Sequence, residues 1–120
     1  MTASKPILIG VVGPCGSGKS TLTDALDSRG YSTRHIAQEH SYVKDMWKRL
    51  TNPDVLIFLQ ASYSVTCQRR NLNWTESEYS EQQRRLAHAH EHADLVIDTD
   101  NLNIQAVLER VLAFIENISD

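Results

Sequence analysis

The chain has 120 residues, the size of one domain with a modest core. Apolar residues make up 41% and charged residues 22%, and twelve Lys and Arg against fifteen Asp and Glu leave a net charge of −3. That balance argues against a basic nucleic-acid binder, and no apolar run approaches the ~20 residues of a membrane span. Two cysteines, Cys15 and Cys67, cannot form a framework of disulfides, so a reduced, cytoplasmic setting is the expectation. Lys5 before a short apolar run that ends in glycines does not make a signal peptide. The stretch from Asp94 to Asp120 is more acidic still, with six acids against Arg110.

In chain order, residues 6–12 form a nearly continuous apolar run, the pattern of a strand buried on both faces of a parallel sheet. A glycine-rich segment follows. Lys19 to Arg29 then reads as a helix with Leu22, Ala25 and Leu26 on one face, closed by Gly30. Tyr31 to Ala37 is a second, poorly alternating strand. Ser41 has the position of an N-cap, and Val43, Met46, Trp47 and Leu50 follow at helical spacing until Asn52-Pro53. Asp54 to Leu59 is the clearest strand. A third helix is expected over Ser62 to Leu72. The pair Thr75 and Glu78 has the spacing of a capping box and opens a fourth helix that runs to about His92. Leu95 to Ile97 is a fourth strand. A last helix carries Ile104, Val107, Leu108, Val111, Ile115 and Ile118 on one face. The alternation β-α-β-α-β-α-α-β-α implies a mostly parallel sheet covered on both faces, with ligands beyond the carboxyl ends of the strands.

One motif carries chemistry. Gly13-Pro14-Cys15-Gly16-Ser17-Gly18-Lys19-Ser20 fits G-x-x-x-x-G-K-[ST] between a buried strand and a helix. Glycines let successive backbone N–H groups curl around phosphate oxygens, and the helix that follows points its positive end at the anion. Gly13 through Thr21 are therefore the expected nucleotide-binding residues. Lys19 reaches the β- and γ-phosphates, Ser20 is a Mg²⁺ ligand and Thr21 is a candidate for the α-phosphate. The Lys19 side chain is expected to stand exposed at the loop.

With this loop the chain resembles the small P-loop kinases, the group that includes nucleoside monophosphate, shikimate and gluconate kinases. Three weaker matches accompany it. Pro53-Asp54 with the strand to Leu59 is similar to the strand before the lid in those kinases, Arg69-Arg70 lies where they carry lid-proximal arginines, and Ala93 to Thr99 is similar to their final strand, whose following loop borders the adenine. The resemblance implies ATP (or ADP) and Mg²⁺ as ligands. It also implies a three-layer α/β sandwich with four parallel strands in the order 2-1-3-4, after removal of the family's further strand, which carries an acidic Mg²⁺-site residue. The segment 71–75 takes the place of a short lid within a single domain, 1–120.

The remaining candidates follow from charge and place. The strand 54–59 runs into Gln60, so it offers no carboxylate to the metal, and Glu39, after the second strand, is the candidate metal ligand or general base. Arg69, Arg70, Arg84 and Arg85 cluster around the lid segment. Neighbours on a helix point about 100° apart, so one of each pair is expected to act, with Arg70 and Arg84 preferred. Trp74 is a candidate to stack on a base or to pack. His88 and His92 share a helix face, and a zinc site there would need His40 or Asp94 as a third ligand. Cys15 is accounted for as a variable loop position. The absence of an N-K-x-D segment excludes the guanine-switch pattern. Two functions remain: an ATP- and Mg²⁺-dependent phosphotransferase on a small acceptor, with Lys19, Glu39, Arg70 and Arg84 as catalytic residues, or a nucleotide-binding or slow ATPase module that acts through a protein partner.

Overall fold

The computed structural model describes residues 7–70 and 74–119, without the side chains of Arg70 and Ser119. Four parallel strands, β1 (Leu8–Val12), β2 (Ser32–His35), β3 (Val55–Gln60) and β4 (Leu95–Asp98), form one sheet in the order β2-β1-β3-β4. This is the expected order, with the strand before the glycine loop central. Helices α1 (Lys19–Asp27), α2 (Tyr63–Arg70), α3 (Glu76–His92) and α4 (Ile104–Ser119) complete the fold.

Strand alternation builds two cores. Ile9 and Val11 of β1 and Val55, Ile57 and Leu59 of β3 face Leu22 and Leu26 of α1 and Val107, Leu108, Val111 and Ile115 of α4. Val12, Leu56 and Phe58 point the other way, toward Ile36, Trp47 and the α3 residues Leu86 and Ala89. Each fully buried aliphatic side chain contributes about 1.5–3 kcal/mol, so β1 and β3, buried on both faces, anchor the domain. Register is held at the strand starts by carboxylates: Leu8 N–H donates to Asp54 Oδ2 (2.8 Å) and Leu56 N–H to Asp94 Oδ2 (2.7 Å).

Three elements match their sequence signals closely. The Thr75–Glu78 capping box is formed in both directions. The α4 stripe is buried at its centre, while Ile104 and Ile118 at its ends are half exposed. Gly30, at φ 92°, turns the chain out of α1.

The segment 41–51 departs from expectation. In place of the regular helix predicted from Val43, Met46, Trp47 and Leu50, an irregular stretch follows the 3₁₀ turn Gln38–His40 and leads into a π-turn (Trp47–Thr51), with Val43 and Leu50 exposed. The cause is the buried side chain of Gln38. Its Nε2 donates to Val43 O (2.9 Å) and to Arg85 O (3.2 Å), and its Oε1 accepts from Trp47 N–H (2.9 Å). These bonds occupy backbone groups that a helix would pair within itself. Asn52, at φ 45°, donates to Trp47 O (3.1 Å) and closes the π-turn. Among the described residues no helix is long and apolar enough to cross a membrane.

Candidate functional site

The loop between β1 and α1 lies at the carboxyl end of the central strand. A Cβ on Gly13 would collide with the backbone carbonyl of Leu59, so only glycine lets the loop pass β3 this closely. Gly18 caps α1 at φ 99°, a torsion that L side chains rarely adopt, and no side chain caps the helix. The first N–H groups of α1 are thus left for an external acceptor. They open on a cavity of about 280 Å³ lined by Gly16, Gly18, Lys19, Ser20, Thr21, His35 and Arg69. Three of these residues, Lys19, His35 and Arg69, are of basic type.

The lysine is not exposed as expected. Lys19 is 5% exposed: its Nζ donates to Gly13 O (2.7 Å) and Pro14 O (3.0 Å) and pairs with Glu39 Oε2 at 2.9 Å. The reason is topological. The crossover from β1 to the parallel strand β2 returns the chain beside the loop, and the 3₁₀ turn after β2 presents Glu39 to it. Glu39 is itself 4% exposed, and its Oε1 has no hydrogen-bond partner among the described residues.

Ser20 Oγ lies 3.3 Å from His35 Nδ1 on the exposed rim. Burial of the ring first, then the Lys19 charge, holds the His35 imidazole below its ordinary value of 6.5, with Glu39 acting in the opposite direction. The Ser20 hydroxyl stands exposed beside the loop, a hard oxygen donor of the kind that would fit Mg²⁺.

The arginines are distributed unequally. Arg69 lines the loop cavity, with Nη1 donating to Thr99 Oγ1 (2.8 Å) and Gly16 O (3.4 Å) and Nη2 to Thr99 O. The side chain of Arg70 and residues 71–73 of the expected lid lie outside the described residues. Arg84, preferred in its pair, is 79% exposed and bound to Glu81 at 3.0 Å. Arg85 is the inward member instead: it is 19% exposed, donates to Glu39 O (3.4 Å) and lies 4.3 Å over the Tyr42 ring. The phase of α3 decides this, since Leu86 and Ala89 must face the core.

Two further cavities flank the loop. One, of about 250 Å³, is lined by Ser17, Gly18, Thr21, Leu59 and Arg69 and by Thr99, Leu102, Asn103, Ile104 and Val107. The other, of about 520 Å³, is lined by His40, Trp74, Gln82, Arg84, Arg85 and polar residues of the first turns of α3. Trp74 packs with Tyr63 and Tyr79. His88 and His92 stack on each other beside Trp47, whose Nε1 donates to His88 Nδ1 (3.1 Å). Asp94 is used at the start of β3, and His40 sits beside Cys15 and Glu39.

A crystal structure at 1.7 Å resolution of shikimate kinase from Bacteroides thetaiotaomicron matches with a TM-score of 0.63 over 92% of this chain and 98% of that one, at 12% identity. The chain shares the fold of that structure. No family model and no curated protein matches the sequence.

Proposed function

We propose that this chain is an ATP-binding P-loop protein that transfers the terminal phosphoryl group, with Mg²⁺, to a small acceptor. The observation that carries the reading is the buried Lys19–Glu39 pair. Lys19 lines the anion cavity under the loop, and Glu39 leads into His40, which lines the α3 cavity. A basic group for phosphate and an acidic group with an unpartnered oxygen thus stand 2.9 Å apart beside the loop.

In this reading the amides of Gly13 through Thr21 wrap the phosphate oxygens and Lys19 contacts the outer phosphates. Arg69, already fixed by Gly16 and Thr99, steadies charge on the transferring group. Ser20 would hold Mg²⁺, which when bound neutralises charge on the phosphate oxygens. Glu39 Oε1 accepts the proton of an acceptor hydroxyl; the oxygen of that hydroxyl bonds to the γ-phosphorus as the bridging bond to the β-phosphate breaks, and ADP leaves. Arg85 orients the acceptor from the α3 side. The apolar walls of the 250 Å³ cavity, Leu59, Leu102, Ile104 and Val107, suit a flat base.

A second reading has a specific observation in its favour. Lys19 is already engaged by two carbonyls and a carboxylate, as in a module that binds nucleotide and turns it over slowly. Consumption of γ-phosphate against a panel of nucleosides, nucleotides, sugars and small acids separates the two. Phosphotransfer predicts that one acceptor class raises ATP consumption above the acceptor-free rate and that Glu39→Gln lowers kcat more than ATP affinity. ATP binding with no acceptor effect supports the module.

A further inference from the structure

Cys15, Glu39 and His40 present three different donor atoms to one point at the rim of the α3 cavity. Sγ of Cys15 lies 3.7 Å from Nε2 of His40, and the same Nε2 lies 3.8 Å from Oε2 of Glu39. All three donors fall within 4.8 Å of one another. The same imidazole nitrogen faces both sulfur and carboxylate. A nucleophilic relay would need the carboxylate on the other nitrogen, so this is convergence and not a relay. Bonds of about 2.0–2.3 Å at tetrahedral angles separate neighbouring S, N and O ligands by ~3.4–3.6 Å. The two edges that meet at His40 exceed that by a few tenths of an ångström, and the His40 side chain, 60% exposed, is free to shorten both.

We propose that Cys15, Glu39 and His40 form a binding site for a thiophilic divalent cation of the zinc class. Two observations beyond the cluster support it. The side chain of Glu39 is more than nine-tenths buried and its Oε2, the oxygen facing His40, pairs with Lys19 at 2.9 Å, yet its Oε1 has no hydrogen-bond partner among the described residues, so one carboxylate oxygen is left for a cation. Gln82 also clamps the cysteine from behind: its Oε1 accepts from Cys15 N–H (3.0 Å) and its Nε2 donates to Cys15 Sγ (3.3 Å). Such outer contacts orient a ligand. The thiol releases its proton to solvent on binding, so the site gains a thiolate charge beside the Lys19–Glu39 pair. A sulfur–nitrogen–oxygen donor set selects zinc-class ions and rejects Mg²⁺, which takes oxygen ligands in octahedral geometry. The fourth position faces the cavity lined by His40 and Gln82, so the ion would keep an exchangeable ligand. The site shares Glu39 with the proposed phosphotransfer site but does not depend on that reading.

Titration of the reduced full chain with Co²⁺, without nucleotide, tests the proposal. The wild type should take up one Co²⁺ with a thiolate-to-cobalt charge-transfer band and tetrahedral ligand-field absorption. Zn²⁺ should abolish both, and excess Mg²⁺ neither. Cys15→Ser should remove the charge-transfer band. Loss of an outer partner alone costs about 10–100-fold in metal affinity, so His40→Ala, at an exposed position that leaves the fold intact, should weaken Co²⁺ by at least about that factor. Cys67→Ser and the pair His88→Ala with His92→Ala should leave the spectrum unchanged. Thermal melts of each variant confirm folding. A wild type without the charge-transfer band, a band that survives Cys15→Ser or disappears with Cys67→Ser, or a Co²⁺ affinity untouched by His40→Ala overturns the site. Because no nucleotide is present, failure here leaves the phosphotransfer reading intact, and ATP that fails to bind leaves this one intact.

Discussion

The two flanks of the glycine loop are made of different material. Toward α4 the wall is Leu59, Leu102, Ile104 and Val107, with Arg69 pinned at its edge by Thr99 and Gly16. Toward α3 the wall is His40, Gln82, Arg84, Arg85 and a run of serines and glutamates. An apolar slot rewards a flat ring by desolvation, whereas a polar, charged wall rewards a ligand that brings hydrogen-bonding groups of its own. The Lys19–Glu39 pair belongs to neither wall, with Lys19 lining the cavity at the start of α1 and Glu39 next in sequence to His40 of the polar wall, so variants of the pair test the phosphate site and variants of either wall its own ligand.

The largest expected effect is at the pair. Lys19→Ala leaves Glu39 buried and unpaired, and removing one partner of a buried ion pair costs about 3–5 kcal/mol. A urea melt should show that loss, and Lys19→Met with Glu39→Gln should restore most of it. Equal stability of Lys19→Ala and wild type would mean the pair is not formed in solution. Next is Arg69. A charge-assisted contact is worth ~1.5–3 kcal/mol, so Arg69→Ala should weaken ATP about ten- to a hundredfold, while Arg84→Ala, exposed and paired only with Glu81, should change neither affinity nor turnover. Arg85→Ala should raise the KM for the acceptor and leave ATP affinity alone. If Arg84 and Arg85 exchange these behaviours, α3 is rotated from its described phase.

The apolar flank has a narrower test. Ile104→Asp places a carboxylate in the first turn of α4, where the helix dipole tolerates it. It should weaken ATP about five- to tenfold, because the base then buries less apolar surface, a loss of ~1 kcal/mol, yet leave inorganic tripolyphosphate unaffected. Equal losses for both ligands would place the base elsewhere.

The smallest effect concerns His35. Its pKa is lowered in the fold, so the unfolded chain binds the proton more tightly; the histidine costs nothing above its ordinary value of 6.5, and the penalty develops as pH falls from there through the lowered value. Bound phosphate beside the ring reverses the sign by favouring imidazolium. ATP should therefore raise the His35 pKa, seen in the histidine C2-proton titration, and bind with proton uptake below about pH 6.5. No change in that titration would move the phosphates away from His35.

What the sequence revealed follows from how local each signal is. The glycine spacing, the doubly buried strands β1 and β3, the Thr75–Glu78 box and the α4 stripe are each written within a few residues, and all four are found. The partner of Lys19 is twenty residues away and depends on a crossover, so Glu39 can be named from the sequence but the buried pair cannot, and an exposed Lys19 is the wrong expectation. The choice between Arg84 and Arg85 turns on which side of α3 meets the sheet, a tertiary fact. The segment 41–51 has helical spacing, yet the side chain of Gln38 captures its backbone, and nothing in the spacing reports that. Cys15 reads as filler in the motif and gains meaning only when the turn after β2 brings His40 and Glu39 to it.

The central claim is that the glycine loop holds nucleotide phosphates through Lys19. Calorimetric titration of ATP without Mg²⁺ into wild type and into the Lys19→Met, Glu39→Gln double variant tests it most directly. The double variant keeps a neutral, filled site, and in the absence of metal the loss of Glu39 can only relieve repulsion. The account predicts saturable one-to-one binding by wild type and an affinity about ten- to a hundredfold weaker in the variant, the worth of one charge-assisted contact. No saturable heat from wild type, or equal affinities for the two proteins, would contradict it.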